Sequence, residues 1–437
     1  MAKRFATDGP HVLMLTNHGV HEWSVTPGMH DTGGQNVYVN HLAEALVAQG
    51  YRVTIENRGG YAHLVTGRPQ TGERLHPSGR ARIIYAEDGL AEFVRKEDMD
   101  DRIPLLVEDL ERKLADDPFD LVVSHYWDGC KLGTLVNRCG APHAWIPHSL
   151  GAIKKRNMDP STWGDLRIDE RIGTERGLMG RVDARVATSA AIRDSFRKDY
   201  GAACEYFLPP CVDARRFRPL RRWRLRPLWR FLAGISPLSA RELSKRRIVA
   251  EISRTDKTKR KDILIRAFAL AREEAPDALL LVSIDEGSPL RAELATLVRE
   301  LDLDRDVIAL GSVWELLPLI YNAADVYCTP SVMEGFGMTP QEAAACGTPA
   351  VCSDLVPFAV EYLLGGSPKQ ADGYLIGDGG AVVPADSVEG FAAALARLLR
   401  DGHLRRRMGR RARRITVPYF TWKSRTRDLL ADLEAVR

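Results

Sequence analysis

At 437 residues the chain exceeds a single ordinary hydrophobic core and fits two domains of usual size. With 45% apolar and 27% charged residues it has the composition of a soluble globular protein, and no apolar run approaches membrane-spanning length. A net charge of +4 is too slight, at this size, to argue for nucleic acid, yet it allows anionic small molecules as ligands.

The N-terminal run His11-Val-Leu-Met-Leu-Thr16 is too short for a signal peptide and reads as a first strand. The seven cysteines (130, 139, 204, 211, 328, 346 and 352) are odd in number and lack paired CxxC spacing, which points to reduced thiols in a cytoplasm and away from zinc. Strands are expected at 11–16, 51–57, 81–86, 120–125, 143–148, 185–189 and 205–209. Helical patterns intervene near 36–49, 101–115, 168–180 and 190–199. The second half repeats the scheme, with strands near 247–253, 278–284, 307–310, 326–330, 349–353 and 381–383 and helices near 261–274, 288–301, 340–346 and 388–400. This alternation predicts α/β architecture with two doubly wound parallel sheets. The expected domains are 1–213 and 247–418, joined by a basic linker over 214–246, with a closing helix over 419–437.

The sharpest motif is Glu334-Gly-Phe-Gly-Met-Thr-Pro-Gln-Glu342, two carboxylates across a glycine-rich turn between an expected buried strand and a helix start. Bare backbone amides and a helix dipole meet ligands at that edge of an α/β sheet. A carboxylate suits a vicinal diol on a sugar or ribose, and Gly335 and Gly337 let the backbone approach a diphosphate. The plainer alternative is an ordinary turn with a first-turn glutamate. In the first half, Asp31-Thr-Gly-Gly-Gln-Asn-Val-Tyr-Val39 opens a long helix and leaves Gly33 and Gly34 as a further anion-binding arrangement. It is neither GxGxxG nor a P-loop. His125 and His148 both close expected strands, and Lys154 and Lys155 follow the second of them. Arg254 and Lys259 follow the first strand of the second half, where fixed cations would stabilise charge growing on a departing phosphate. Asp302-Leu-Asp304 is the nearest acidic pair and reads as a solvated connection, so no metal site is expected.

Together these residues resemble the retaining GT-B glycosyltransferases of family four, and among them the bacterial sucrose-phosphate synthases. The likeness covers nearly the whole chain. It is carried by the Glu-x7-Glu segment, by Arg254 and Lys259, by Leu208-Pro-Pro-Cys-Val-Asp213, and by Asp31-Thr-Gly-Gly-Gln35, His125-Tyr-Trp-Asp-Gly129, His148-Ser-Leu-Gly151 and Glu170-Arg-Ile-Gly-Thr-Glu-Arg176. The resemblance implies two Rossmann-like domains facing across a cleft, with the last helix crossing back to the first. It implies transfer of a hexose, UDP-glucose favoured, to a small sugar phosphate with retention of configuration, without a cofactor or catalytic metal. His148, Arg254, Lys259 and Glu334 would be catalytic. Gly34, Arg254, Lys259, Glu334, Gly335, Phe336, Gly337, Met338 and Glu342 would bind the donor. Gly34, Gln35, Lys96, His125, Lys154 and Arg171 would hold the acceptor, with the three cations on its phosphate.

The pattern is departed from at three places. Asn36-Val-Tyr is similar to the mycothiol-pathway transferases, which use an inositol phosphate. Glu170 stands where the family pairs a second arginine with Arg171, and Arg260 replaces the asparagine or glycine usual after the donor lysine. Transfer to another polyol phosphate, or from GDP-mannose, is therefore the alternative, with base choice placed around Gly311-Ser-Val-Trp314. A further possibility lies in Leu220-Arg-Arg-Trp-Arg-Leu-Arg-Pro-Leu-Trp-Arg-Phe231, where arginine interleaved with tryptophan suits anionic lipid headgroups or RNA. The expectation is instead a solvated interdomain loop with its tryptophans packed, with neither nucleic acid nor membrane insertion among the partners.

Overall fold

A computed structural model of the chain describes residues 4–25, 29, 31–311 and 313–434. It divides into two compact units, Met1–Pro210 with Trp422–Arg437, and Cys211–Thr421. The basic segment 214–246 falls within the second unit.

The first unit is built on an eight-stranded sheet in the order β3-β4-β2-β1-β5-β6-β7-β8. The strands are β1 (His11–Leu15), β2 (Arg52–Arg58), β3 (Glu73–Leu75), β4 (Ala81–Ala86), β5 (Leu121–His125), β6 (His143–Ile146), β7 (Ala184–Ala187) and β8 (Tyr206–Phe207). All pairs are parallel except β3 with β4. β1, β2 and β5 are buried at every position, as a sheet covered by helices on both faces requires. Six helices cover it: α1 (Gly34–Val47), α2 (Ile103–Lys113), α3 (Tyr126–Val136), α4 (Gly151–Asn157), α5 (Ile168–Leu178) and α6 (Ala190–Tyr200). The C-terminal helix Trp422–Glu434 joins them, burying Leu429, Leu430 and Leu433 in the core with Val39, Leu42 and Leu46 of α1. The winding reverses between β1 and β5, so the loops after those strands open a crevice at their carboxyl ends, the place where α/β sheets take ligands.

The second sheet has the order β11-β10-β9-β12-β13-β16-β15-β14. Its strands are β9 (Arg247–Glu251), β10 (Ala278–Ser283), β11 (Val307–Leu310), β12 (Val326–Thr329), β13 (Ala350–Ser353), β14 (Lys369–Ala371), β15 (Tyr374–Ile376) and β16 (Gly380–Val383). Six are parallel, and β15 and β14 add an antiparallel hairpin. Its helices are α7 (Arg226–Gly234), α8 (Ala240–Leu243), α9 (Lys261–Glu274), α10 (Arg291–Glu300), α11 (Leu317–Ala323), α12 (Met338–Cys346), α13 (Val388–Arg400) and α14 (Gly402–Thr416). Here the winding reverses between β9 and β12. The loops after those two strands carry Arg254 with Lys259, and Glu334.

The sequence reading misses several short or polar elements, among them α3, α4, α14 and the hairpin. α14 buries Leu404, Met408 and Ala412 as a narrow stripe within seven arginines, too thin an apolar pattern to stand out. β6 ends at Ile146, so His148 lies two residues beyond the strand rather than closing it. α12 begins at Met338, which puts Glu342 in its second turn rather than its first. The segment 220–231 is not a packed loop: it forms a 3₁₀ turn and then α7, and Trp223 is 57% exposed.

Candidate functional site

In the first unit the carboxyl edge of the sheet holds an open pocket lined by Lys96, Tyr126, Lys154, Arg167, Arg171 and Thr174 among others. Lys96, Lys154 and Arg171 come from separate segments and converge here. Each cation is balanced differently. Lys96 pairs with Asp31 and, at 3.2 Å, with Glu97. Burial would raise the Asp31 carboxyl, but Lys96 overrides it and holds it down at about 2. Arg171 is buried on α5. It donates to Glu175 at 2.8 Å, to the Tyr126 hydroxyl and to the Ser149 carbonyl at 2.7 Å, and it lies 4.2 Å over the Tyr126 ring. Among the described residues Lys154 forms one ion pair, with Glu97 at 3.8 Å, and Asp31 acts on it from farther off. Burial, Arg171 and Lys96 together pull its ammonium down to about 8. A buried cation facing two like charges is stabilised by any anion brought beside it.

Arg171 thus differs from the expectation of a freely presented phosphate ligand. A buried guanidinium must be hydrogen-bonded, and Glu175 also receives the Gly151 amide at 2.9 Å, so this pair ties α4 to α5. Arg171 lines the pocket and adds positive potential while fixing Tyr126. Arg167 stands beside it, partly exposed and held by Glu170, and supplies a cation that the sequence motifs did not include.

Behind the pocket, His148 Nε2 lies 2.9 Å from His125 Nδ1, with the rings stacked 5.1 Å apart. His125 is fully buried, and burial and His148 push its pKa well down. It therefore does not reach an acceptor as expected; its place is to orient His148. His148 is partly exposed and likewise held neutral by burial. Gln35 donates to Thr16 at 3.1 Å, and Gly34 is exposed at the first position of α1. Asn36 explains its own presence: its side chain accepts the Gly33 amide at 2.9 Å and meets the His21 ring at 3.0 Å, fixing the glycine turn. His18, 3.0 Å from the buried Asp128, packs edge-on against Tyr126.

In the second unit, Lys259 donates to Glu334 at 2.6 Å, joining the loops after β9 and β12. Arg254 is half exposed, 3.6 Å from Asp256. Burial opposes ionisation of Asp256, yet Arg254 and Lys259 on either side keep its pKa low. Glu342 is buried and receives the Tyr321 hydroxyl at 2.9 Å. Gly337 caps α12 with φ 108°, and a Cβ there would lie 2.7 Å from Val356, so only glycine fits. Met338 is the first residue of the helix. Phe336 turns its ring into a cluster with Phe358 and Phe420, so any contact from this residue to a donor is through its backbone, beside Gly335. Beneath the loop, Lys261 donates to Glu251 at 2.9 Å and to Ser253 and Ser283, a buried pair that anchors the Arg254–Lys259 segment. The Arg260 departure also has a cause. Its φ is 46°, the left-handed region that favours asparagine or glycine, and Arg260 offsets this by pairing with Asp262 and Asp386. Ser312, in the segment read as choosing the base, lies outside the described residues.

Six non-glycine residues have positive φ among the described residues, and Asp31, Tyr126, His148, Arg167 and Arg260 all sit at these two edges. Strained backbone concentrated this way marks functional loops. Among the described residues no three His, Cys, Asp or Glu side chains are grouped to hold a metal ion, and no helix is long and apolar enough to cross a membrane.

Comparison with known proteins shows the family of the chain. Residues 33–211 match the family described as "Glycosyl transferase 4-like domain" and residues 239–415 match "Glycosyl transferases group 1". A mannosylfructose-phosphate synthase of Agrobacterium fabrum is 30% identical over 78% of this chain and 76% of its own. A D-inositol 3-phosphate glycosyltransferase of Nocardia farcinica is 31% identical over 94% of this chain and 86% of its own. The solved sucrose-phosphate synthase of Thermosynechococcus elongatus superposes with a TM-score of 0.81 at 24% identity, covering 98% of this chain and 100% of that one.

Proposed function

The chain belongs to the group 1 glycosyltransferases with a family-4-like N-terminal domain, and from that premise we propose that it moves a hexose from a nucleotide sugar to a small phosphorylated sugar or polyol. The observation that carries the acceptor class is the pocket of Lys96, Lys154, Arg167 and Arg171 with Tyr126. A phosphate dianion supplies the charge that Lys154 lacks and accepts charge-assisted hydrogen bonds from several donors at once. The names of the relatives from Agrobacterium and Nocardia both carry a phosphorylated sugar or polyol, which supports the same reading.

On the donor side, Glu342 takes the ribose diol and Glu334 the transferred hexose. In the first unit, His148 offers its remaining ring nitrogen to a sugar hydroxyl. Gly335, Gly337 and the start of α12 leave room for the diphosphate. Arg254 and Lys259 face its growing charge as the glycosidic bond breaks, and fixed cations lower that barrier without reorganising. Retention follows by front-face attack, with the departing phosphate taking the acceptor proton. UDP-glucose with fructose 6-phosphate is the favoured pair. GDP-mannose, or an inositol phosphate, is the alternative, and the mannosyl product and inositol substrate in the relatives' names favour keeping it.

The test is a donor screen reading released UDP or GDP across a panel of sugar and polyol phosphates, with and without chelator. Turnover of a nucleotide sugar with a phosphorylated acceptor, undiminished by EDTA, is expected. Transfer only to unphosphorylated acceptors would overturn the acceptor class, and activity lost to EDTA and restored by magnesium would overturn metal independence.

A further inference from the structure

The two family matches leave residues 212–238 uncovered, and this interval contains the arginine- and tryptophan-rich segment. None of the chemistry above uses it. Leu225, Leu228 and Leu232 bury one side of the 3₁₀ turn and α7 against the second unit. The other side presents Trp223, Phe231 and Ile235, which are 57%, 37% and 48% exposed, among Arg222, Arg226 and Arg230. The segment from Arg215 to Arg230 holds eight arginines and no acid.

A second cationic surface lies in the same helical layer. Leu220 donates to Asn322 of α11 at 2.7 Å, α11 packs on α12, and α12 packs on α14. On α14, Arg405 and Arg411 are paired with Asp325 and Asp378. Arg406, Arg407, Arg410 and Arg414 are exposed; Asp401 lies near Arg407, and among the described residues Arg406, Arg410 and Arg414 form no ion pair. α11 carries no charge, and the one acid of α12, Glu342, is buried. In a chain whose net charge is only +4, one helical layer of the second unit thus gathers unpaired arginines at both ends, with exposed aromatic and aliphatic side chains at one of them.

We propose that this layer is a docking surface for an anionic phospholipid bilayer, with Trp223, Phe231 and Ile235 entering the headgroup–acyl boundary and the arginines of both segments on the lipid phosphates. The exposed apolar side chains favour lipid over nucleic acid. Nucleic-acid bases stack on aromatic rings and would engage Trp223 and Phe231, whereas the aliphatic Ile235 gains only where apolar surface leaves water. This is adsorption to one leaflet and needs no spanning helix.

The test is co-sedimentation of the full chain at physiological salt with vesicles of phosphatidylcholine alone, or mixed with an equal part of phosphatidylglycerol. Binding to the anionic vesicles only is expected. The R406Q/R407Q/R410Q/R414Q variant should lose partitioning by about fivefold per arginine, at least a hundredfold in all. Brominated acyl chains should quench tryptophan fluorescence in the wild type and less in W223F/F231S. Melting curves of both variants should match the wild type, since all the changed side chains are on the surface. No sedimentation with anionic vesicles would overturn the proposal, as would sedimentation unchanged in both variants. Displacement from vesicles by a lower concentration of single-stranded RNA would overturn it in favour of nucleic acid.

Discussion

Replacing Lys154 with methionine should make the protein more stable and a worse enzyme. The side chain is 13% exposed, and burial, Arg171 and Lys96 bring its ammonium from 10.5 to about 8. At about 1.4 kcal/mol per tenfold change, keeping it charged at neutral pH costs at most about 3 kcal/mol. That figure is already net of Glu97 and Asp31, which offset part of the penalty from burial and the two cations. Methionine has nearly the same length and no charge, so Lys154→Met should recover about 1–3 kcal/mol and raise the melting temperature of the first unit by several degrees. The sign with pH follows. The folded-state value lies below the unfolded one, so the penalty is full below about pH 8 and disappears as pH rises from about 8 to 10.5. The wild type should close the gap to the variant over that window. Activity should move the other way. Losing one charge-assisted hydrogen bond costs about 1.5–3 kcal/mol, or roughly 10- to 150-fold in kcat/KM for a phosphorylated acceptor, with little change for its unphosphorylated form. In the wild type, KM for the phosphorylated acceptor should rise above pH 8 as Lys154 loses its proton. Scanning calorimetry and a released-nucleotide assay with fructose 6-phosphate and fructose read both effects. A variant less stable at pH 7, or one that keeps the full phosphate preference, would refute the reasoning.

Lys259→Ala should reduce kcat far more than it raises the donor KM, because charge on the departing phosphate grows towards the transition state; steady-state kinetics showing near-normal kcat would remove Lys259 from the mechanism. Tyr321→Phe deletes the hydroxyl that holds Glu342 and should raise the donor KM several-fold, about 1 kcal/mol, at unchanged kcat; an unaltered donor KM would mean Glu342 needs no such support. Lys261→Met strands Glu251 in the core and should lower stability by about 3–5 kcal/mol in urea titration, most of it recovered by adding Glu251→Gln. A single variant as stable as the wild type would contradict the anchoring role of that pair.

The alternation of apolar runs and helical periods carries the two-sheet architecture, because buried parallel strands such as β1 and β10 leave nearly continuous apolar signatures. The Glu-x7-Glu and Asp31–Gln35 motifs are likewise visible as glycine turns before helices. What the sequence conceals is non-local or conformational. Tyr126 adjoins His125 in a quoted motif, but only the fold puts its ring under Arg171. The left-handed backbone at Arg167, Tyr126 and His148 has no glycine to announce it. Strand-end position suggests ligand contact for His125 and cannot show that His148 covers it. The burial that makes Arg171 a hub depends on Glu175 and Ser149, four residues and twenty-two residues away along the chain. Trp223 reads as a core aromatic by type, and the helical phase of Leu225, Leu228 and Leu232 turns it outward.

The central claim is that the first unit recognises a phosphate on the acceptor. It is tested most directly by the ratio of kcat/KM for a sugar phosphate to that for the same sugar without its phosphate, measured with one saturating nucleotide sugar. Two or more charge-assisted hydrogen bonds in the Lys96–Lys154–Arg167–Arg171 pocket predict a ratio well above tenfold, roughly a hundredfold or more. Equal rates with fructose and fructose 6-phosphate, and with each other such pair tried, would contradict it.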